Sequence, residues 1–270
     1  MKYKLLALDI DGTLMDKNGI ISDEDINAIS AVQRIGICVS LSTGRSLIGC
    51  RRVLEQMKLD GYHISFDGAL VSDPHNGEEL YTCPLSKEMA KQAIEYSHSN
   101  EVPLELYSSS RYYAEHESWS TNAHREFFHI EPNIIDFTGL EDRERFIKGG
   151  IVATNSEEEE KVREFCLHFK DVFNFTWART PAYPGVAFVN VLAPEVSKGN
   201  ALIALVEHLG IGLDDVMAIG DGHNDVSLLS TAGLGIAMGN ALDELKEVAD
   251  HITLDIDDNG VAVAIKKFIA

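Results

Sequence analysis

The sequence has few cysteines and no close pair among them. The four cysteines of the 270-residue chain, Cys38, Cys50, Cys83 and Cys166, are widely separated. Such spacing provides neither the paired ligands of a zinc knuckle nor the dense framework of a disulfide-stabilised domain. We therefore expect reduced cysteines whose role is mostly structural.

Long hydrophobic runs are also missing. No apolar stretch approaches the roughly 18 residues that span a bilayer, and the N-terminal segment MKYKLLALDIDG reaches charged residues too early for a secretory signal. The hydrophobic fraction of 45% is nonetheless sufficient for a sizeable core. We expect a cytoplasmic protein that has no membrane partner.

Positive charge is scarce. The chain carries 23 lysines and arginines against 43 aspartates and glutamates, a formal net charge of −20. This field repels nucleic acid and anionic membranes, and no basic patch in the sequence offsets it. We expect no nucleic acid partner. A pocket for an anionic substrate would have to concentrate the few cations near the chemistry.

The segment LLALDIDGTL, residues 5–14, is the first chemically informative feature. Its apolar run predicts a strand buried on both faces, and Asp9 and Asp11 follow that strand. In an extended chain, residues two apart project to the same side. Two carboxylates about 4 Å apart repel by roughly 4 kcal/mol at a surface-like dielectric. A cation or a shared proton is therefore expected beside them.

Predicted strands, each followed by a few polar residues, then alternate with predicted helices along the chain. A helix is predicted between Ser22 and Gly36, a strand over residues 37–41 and a second helix over residues 47–57. The same rhythm predicts strands over residues 186–192, 216–219 and 234–237. This alternation is typical of an α/β fold with a doubly wound parallel sheet, whose ligands lie beyond the carboxyl ends of the strands.

The pattern changes in the middle of the chain. Between about residues 84 and 184, helical segments alternate with short aromatic strand candidates. We interpret residues 84–184 as an inserted α/β domain and residues 1–83 and 185–270 as one discontinuous core domain.

The predicted strand ends carry polar clusters that fit a metal ion. Asp9, Asp11 and Asp221 supply three carboxylates, and Mg²⁺ prefers oxygen ligands of this kind together with substrate phosphate. A carboxylate beside the metal can attack phosphorus to form an aspartyl phosphate. The second aspartate can then transfer protons, since a nearby negative charge raises its pKa.

Other residues at the strand ends fit a phosphate group. The backbone N–H groups of Gly12, Gly44 and Gly222 are expected to be accessible to phosphate oxygens, and Lys198 adds a mobile positive charge. These groups would locally reverse the negative field of the chain.

The motifs DIDGTL, STGR, SKG and GDGHND, in this order, resemble the four motifs of the haloacid dehalogenase (HAD) superfamily. The resemblance is closest to its Cof-like hydrolases, a group of sugar phosphatases, and it extends to the tail stretch GLGIAMGNALDELKEVADHIT. It implies a Rossmann-like core with an inserted α/β cap domain that selects substrates.

The resemblance also implies a role for each matched residue. It makes Asp9 the nucleophile and Asp11 the general acid/base, with Mg²⁺ held by Asp9, Asp221 and the backbone carbonyl of Asp11. It makes Thr43 and Lys198 the phosphate clamp, gives Asn224 a contact to the phosphate, and gives Asp225 the orientation of Lys198 or of a metal-bound water. Arg45 ends the STGR motif, and its position is compatible with a contact to the substrate or to a carboxylate of the inserted domain.

One position departs from the family pattern. The resembled family usually carries Asn-Gly-Ala after the second helix, whereas this chain reads FDGAL with Asp67 before Gly68. Aspartate suits a tight turn before glycine. If it faced the pocket instead, its charge would disfavour substrates with a second anionic group.

The sequence thus predicts a Mg²⁺-dependent phosphatase that acts on a small phosphorylated metabolite. Sugar phosphates are the first expectation, and phosphorylated cofactors such as flavin mononucleotide or pyridoxal phosphate are the next. A phosphomutase of the phosphomannomutase type is the enzymatic alternative. A receiver-like signalling module is the other, although a receiver is shorter and has no insert. The oligomeric state is left open.

Overall fold

A computed structural model describes residues 2–178, 183 and 185–269 of the chain. The chain divides into two compact units. The first unit comprises Met1–Arg45, Cys50–Tyr81 and Ser197–Ala270, and the second comprises Ser46–Gly49 and Thr82–Val196.

Strands and helices alternate along the described residues. The strands in chain order are β1 (Leu5–Leu8), β2 (Cys38–Leu41), β3 (His63–Ser65), β4 (Leu70–Ser72), β5 (Glu79–Thr82), β6 (Leu104–Tyr107), β7 (Tyr112–Ala114), β8 (Pro132–Ile134), β9 (Lys148–Ala153), β10 (Asn174–Ala178), β11 (Ala187–Leu192), β12 (Val216–Gly220), β13 (Leu234–Ala237) and β14 (His251–Ile252). The α-helices are α1 (Asp23–Arg34), α2 (Leu47–Met57), α3 (Lys87–Asn100), α4 (Trp119–Ala123), α5 (Ser156–His168), α6 (Lys198–Leu209), α7 (Val226–Thr231), α8 (Asp243–Val248) and α9 (Gly260–Phe268).

The first unit is built on a parallel five-stranded sheet in the order β14-β13-β12-β1-β2. Strand β1, which lies between β12 and β2, is buried along its whole length, as its unbroken apolar run predicts. The chain runs from β1 to β2 on one side of the sheet and places β12 on the other side of β1. Such a change of direction is where α/β sheets bind ligands.

Local sequence signals set the ends of helices α1 and α6. The hydroxyl of Ser22 accepts a hydrogen bond from the N–H of Asp25 at the start of α1. The hydroxyl of Ser197 accepts one from the N–H of Asn200 at the start of α6, and α6 ends at Gly210 in the left-handed conformation. Lys198 is therefore the first residue of a capped helix.

A small sheet in the order β3-β4-β5 adjoins β2 through a bridge between Ser42 and Ile64. Its first two strands are antiparallel, and a short turn, Phe66–Gly68, connects them. This turn contains Asp67, the residue at which the sequence departs from the family pattern.

The second unit is built on a six-stranded sheet in the order β10-β11-β9-β6-β7-β8. Its pairs are antiparallel except for β7 and β8, which are parallel. Helices α3 and α5 belong to this unit, and Val162 and Phe165 of α5 are fully buried.

The structure confirms the α/β class with a parallel-sheet core, and β1, α2 and β13 have the predicted bounds. The strand predicted over residues 186–192 is assigned to the wrong sheet, since β11 pairs with β9 and β10 in the second unit. Its residues alternate between buried and half-buried, as expected of a sheet with one open face rather than a core strand. The predicted boundary at residue 184 lies outside the described residues.

Among the described residues, no helix is long and apolar enough to cross a membrane.

Candidate active site

The carboxyl ends of three neighbouring strands bring the predicted residues together. Asp9 follows β1, Thr43 follows β2 and Asp221 follows β12, and β1 lies between the other two strands. The N–H of Asp9 donates to the carbonyl of Ile219, so the backbone stays aligned with β12 just past the end of β1. The topology of the sheet, rather than closeness in sequence, assembles this site.

Lys198 lies at the centre of the site. Its ammonium group donates hydrogen bonds to Asp9 Oδ1 at 2.7 Å and to Asp225 Oδ1 at 2.6 Å, and its side chain is fully buried. The sequence predicts a mobile charge here, but the two carboxylates hold it in one place. Its charge is therefore directed at the predicted nucleophile.

Asp225 is occupied on both oxygens. Oδ1 accepts from Lys198, and Oδ2 accepts from the backbone N–H groups of Asp221 and Gly222 at 3.0 and 2.9 Å. Its carboxylate therefore orients Lys198 and shapes the loop after β12. The Gly222 N–H is also already paired, so the expectation that it is accessible to phosphate is wrong.

Negative charge exceeds positive charge in this cluster. Burial is the main cause that raises the pKa of Asp9 well above its usual value, with Lys198 opposing and Asp225, Asp221 and Asp11 adding to the rise. Burial and the Asp225 charge raise the pKa of Asp221 to about 7. Burial opposes the charged form of Lys198, but Asp225 and Asp9 outweigh it and raise the pKa of the ammonium group. The cluster would be more stable with an additional cation.

A metal ion fits this donor set. Asp9, Asp221 and Asp225 each offer one carboxylate oxygen, and these three oxygens lie within 4.8 Å of one another. Such hard oxygen donors in an acidic cluster suit Mg²⁺. Of the three residues, Asp225 is the one whose oxygens are occupied by Lys198 and by backbone donors.

The Asp11 carboxylate pairs with Arg45 rather than with Lys198, although its charge still acts on Asp9 and Asp221. Strand β1 ends at Leu8, and the carbonyl of Ile10 accepts from the N–H groups of residues 13–15, so the backbone turns sharply. The Asp11 carboxylate, 59% exposed, accepts a bidentate pair from Arg45 at 2.7 and 2.5 Å. Burial opposes the charged guanidinium, but the hydrogen bonds to Asp11 outweigh it and raise the pKa of Arg45.

Thr43 and Gly12 lie in the two loops that follow strands β2 and β1. Thr43 is buried, and its hydroxyl accepts from the N–H of Arg45 at 3.1 Å. The N–H of Gly12 donates to the carbonyl of Met15, so the expected phosphate contact of this group is not available either. Gly12 is required for another reason, since its φ is +86° and a Cβ would lie 2.2 Å from Asp221 Oδ2.

Asn224 turns toward Asp67 and Gly44. Its side-chain nitrogen donates to Asp67 Oδ1 at 2.7 Å, and this oxygen lies so close to Gly44 that a Cβ there would be 2.8 Å away. Asp67 is 3% exposed and therefore belongs to the interior of the first unit. The turn that contains it is part of the site.

Sequence reasoning missed two residues that support the site. The hydroxyl of Thr13 donates to Asp221 Oδ1 at 2.8 Å, and the side-chain nitrogen of Asn240 donates to the carbonyl of Gly12 at 2.8 Å. Thr13 lies within the quoted DIDGTL motif, so its position next to Gly12 was the available signal. Asn240 lies in the tail stretch GLGIAMGNALDELKEVADHIT, where no residue spacing indicates its contact with Gly12.

The chain is similar to known proteins over nearly its whole length. The model of the haloacid dehalogenase-like hydrolase family matches residues 6–265. The chain belongs to that family. It is an HAD-type phosphatase, as predicted. It is 30% identical over 267 residues to the 5-amino-6-(5-phospho-D-ribitylamino)uracil phosphatase YcsE of Bacillus subtilis, with 98% of this chain and 96% of that protein covered.

Solved structures of this phosphatase family share the fold. A haloacid dehalogenase-like hydrolase from Bacteroides thetaiotaomicron aligns with a TM-score of 0.85 and 28% identity over 99% of this chain and 100% of that one. The HAD subclass IIB sugar phosphatase BT4131 aligns with a TM-score of 0.80 and 25% identity over 98% of each chain. The predicted Rossmann-like HAD fold class is thereby confirmed.

Proposed function

We propose that this phosphatase is Mg²⁺-dependent and hydrolyses small phosphorylated metabolites, sugar phosphates above all, through an aspartyl phosphate on Asp9. The observation that carries the proposal is the Asp9 carboxylate, which is buried 2.7 Å from Lys198 at the carboxyl end of strand β1. A buried carboxylate beside a fixed cation can approach a phosphoryl group whose charge the cation offsets.

The proposed metal ligands are Asp9, Asp221 and the backbone carbonyl of Asp11. Asp225 supports them indirectly, because Lys198 and two backbone N–H groups occupy its oxygens. When bound, Mg²⁺ supplies positive charge that offsets the charge of the phosphate and of the acidic cluster. The hydroxyl of Thr13 orients the Asp221 carboxylate by its hydrogen bond.

The chain's own residues account for the proposed chemical steps. An Asp9 oxygen attacks phosphorus as the bond to the leaving oxygen breaks, and Asp11, protonated at the start of the cycle, gives that oxygen its proton. Asp11 then takes a proton from the water that attacks phosphorus, which releases phosphate and restores Asp9. Because the Asp11 carboxylate is paired with Arg45, this pair has to open for both proton transfers.

The phosphate itself would be held by polar groups around Asp9. We assign this role to Thr43 and Lys198, with Gly44, Arg45 and Asn224 contacting phosphate or substrate. Thr43 and Lys198 are buried in the first unit, so their polar groups are held in fixed positions. Such preorganised donors cost little reorganisation when charge develops on the phosphoryl oxygens.

The substrate class rests on what similar proteins act on. One relative is named as a phosphatase of a phosphoribityl compound and another as a sugar phosphatase. The ribityl phosphate and sugar phosphates share a phosphate ester on a polyhydroxylated carbon chain. We assign substrate selection to the inserted domain, predicted over residues 84–184.

A panel of phosphorylated metabolites tests this function. Phosphate release is measured with Mg²⁺, after chelation with EDTA, and with Asp9→Asn as the inactive control. The proposal requires release that depends on Mg²⁺ and that is highest, by kcat/KM, for polyhydroxylated phosphate esters. Equal activity after complete chelation, or activity in Asp9→Asn, would contradict it.

Product analysis separates the alternatives. With a hexose 1-phosphate, hydrolysis gives free phosphate, whereas a phosphomutase moves the phosphate to another hydroxyl. A receiver-like module would instead retain a persistent aspartyl phosphate after exposure to acetyl phosphate, without turnover.

A further inference from the structure

The turn that contains Asp67 has an unusual backbone. Phe66, Asp67 and Gly68 all have positive φ, at 52°, 56° and 100°. This conformation is unfavourable for L-residues, although aspartate and asparagine tolerate it better than most. Strain of this kind persists only where the surroundings enforce it, and it is found mostly at functional sites.

Hydrogen bonds attach this turn to the loop after β2. The N–H of Asp67 donates to the carbonyl of Thr43 at 3.0 Å, and the N–H of Phe66 donates to the carbonyl of Arg45 at 2.9 Å. The Asp67 carboxylate lies against Gly44, where a Cβ would approach it to 2.8 Å. The turn therefore contacts three consecutive residues of the proposed phosphate-binding loop, Thr43, Gly44 and Arg45.

The Asp67 side chain reaches a second loop of the site. Its Oδ1 accepts a hydrogen bond of 2.7 Å from Asn224 Nδ2, while the other end of that carboxamide, Oδ1, lies near Gly222. Asp67 thus connects the loop after β2 with the loop after β12. Its charge also acts on Lys198, after those of Asp225 and Asp9.

An ionised carboxylate can only accept hydrogen bonds, and this restricts Asn224. The carboxamide has to present its nitrogen to Asp67, and the second N–H of that nitrogen can then donate to a phosphate oxygen. An asparagine at position 67 could accept or donate, so it would permit either orientation of the Asn224 carboxamide. Aspartate at position 67 removes this ambiguity.

We infer that Asp67 is a positioning residue, whose carboxylate holds the Asn224 carboxamide with its N–H groups oriented for phosphate. The inference rests on the proposed phosphatase function of the same site. It gives the aspartate of FDGAL a role in phosphate binding, in addition to that of a turn residue.

A double-mutant cycle tests the link. The four proteins are the wild type, Asp67→Asn, Asn224→Ala and the double variant, assayed with Mg²⁺ and p-nitrophenyl phosphate. Asp67→Asn keeps the shape and the left-handed preference of the residue, and we expect it to lower kcat/KM about 5- to 50-fold. In the Asn224→Ala background the same change should alter kcat/KM by less than about twofold. Losses that multiply independently would overturn the inference.

The exchanged pair Asp67→Asn with Asn224→Asp separates positioning from structure. The reversed hydrogen bond should restore the melting temperature to that of the wild type. The kcat/KM should stay low and the inhibition constant of inorganic phosphate high, because a carboxylate at position 224 cannot donate to phosphate. Recovery of both stability and phosphate binding would show a merely structural role and would overturn the inference.

A replacement variant and the activity of the wild type distinguish failure of the inference from failure of folding or of the proposed function. If Asp67→Asn fails to fold, Asp67→Gly takes its place in the cycle, since glycine adopts this backbone readily. Wild-type protein without phosphatase activity would reject the proposed function itself. Active wild type with independent losses in the cycle would reject only the role of Asp67.

Discussion

The two units bury carboxylates in different ways. In the first unit, Asp9, Asp221 and Asp225 crowd around one lysine, with hydrogen bonds of 2.7 and 2.6 Å from Lys198 to two of them. In the second unit, the buried carboxylate of Glu105 accepts the hydroxyls of Tyr107 and Tyr112 at 3.0 and 2.8 Å. One cluster holds excess negative charge, whereas the other satisfies one carboxylate with neutral donors.

The second network continues to a histidine. The Tyr107 hydroxyl also lies 2.9 Å from His124 Nε2, and Nδ1 of that ring lies 2.8 Å from the carbonyl of Ser120. Burial and then the Glu105 charge raise the pKa values of both tyrosines, so their hydroxyls stay protonated as donors. A satisfied network of this kind stabilises a fold. In the first unit, by contrast, a bound cation would reduce the repulsion among the crowded carboxylates.

The largest expected effect comes from removing the charge of Asp9. Asp9→Asn should reduce phosphate release by roughly 10⁴-fold or more, since it removes the proposed nucleophile. In metal-free protein the same change relieves repulsion in the cluster, so the melting temperature should rise. Asp60→Asn, at an exposed aspartate of the same unit, is the control and should retain activity. A destabilised Asp9→Asn protein without metal would contradict the comparison.

The next effect concerns the two buried lysines. Lys198→Met leaves Asp9 and Asp225 buried without their cation and should lower the free energy of unfolding by about 3–5 kcal/mol. Lys148 in the second unit, also buried, donates to the neutral Asn190 at 2.8 Å. Lys148→Met should therefore cost only about 1–2 kcal/mol. Urea unfolding measures both, and equal losses would show that the two environments do not differ.

A buried histidine extends the comparison to pH. His63 Nδ1 accepts from the N–H of Leu41 at 3.1 Å, while Nε2 has no hydrogen-bond partner among the described residues. Burial lowers the pKa of His63 to about 4. Between that value and the unfolded value of about 6.5, the unfolded chain binds the extra proton. Stability is thus full above about pH 6.5 and falls as the pH decreases toward 4, by about 3 kcal/mol in total.

The variant His63→Asn removes this proton and keeps an acceptor for Leu41. Its stability relative to the wild type should improve by about 2 kcal/mol between pH 7 and pH 5. The control is His223→Asn, because the His223 side chain is 69% exposed beside Glu244. The prediction is wrong if urea midpoints show the same pH dependence in the wild type and in His63→Asn.

The sequence predicts much of the first unit because its site follows from topology. Once β1, β2 and β12 are recognised as parallel neighbours, Asp9, Thr43 and Asp221 must meet at one edge. What it could not predict depends on local backbone turns. The chain turns after Asp9, so Asp11 pairs with Arg45, and the N–H of Gly12 bonds to the carbonyl of Met15.

The second unit was harder to predict for a different reason. An apolar strand such as β11 fits a parallel core sheet and an antiparallel sheet equally well, and only its partners β9 and β10 decide. The network around Glu105 joins residues from β6, β7 and the segment after α4, and no short motif indicates it.

The smallest effect completes the comparison with Asp9→Asn. Glu105→Gln removes a charge and keeps the shape, but the amide nitrogen cannot accept a tyrosine hydroxyl. One hydroxyl then has to turn to another acceptor, so we expect a loss of about 1 kcal/mol in the free energy of unfolding. In EDTA, urea unfolding should therefore show a lower free energy of unfolding for Glu105→Gln and a higher one for Asp9→Asn. Each of these substitutions replaces a buried carboxylate by its amide. If Glu105→Gln stabilised the protein as Asp9→Asn does, buried negative charge would be unfavourable in both units. The effect of Asp9→Asn on stability would then no longer support a cation site at Asp9.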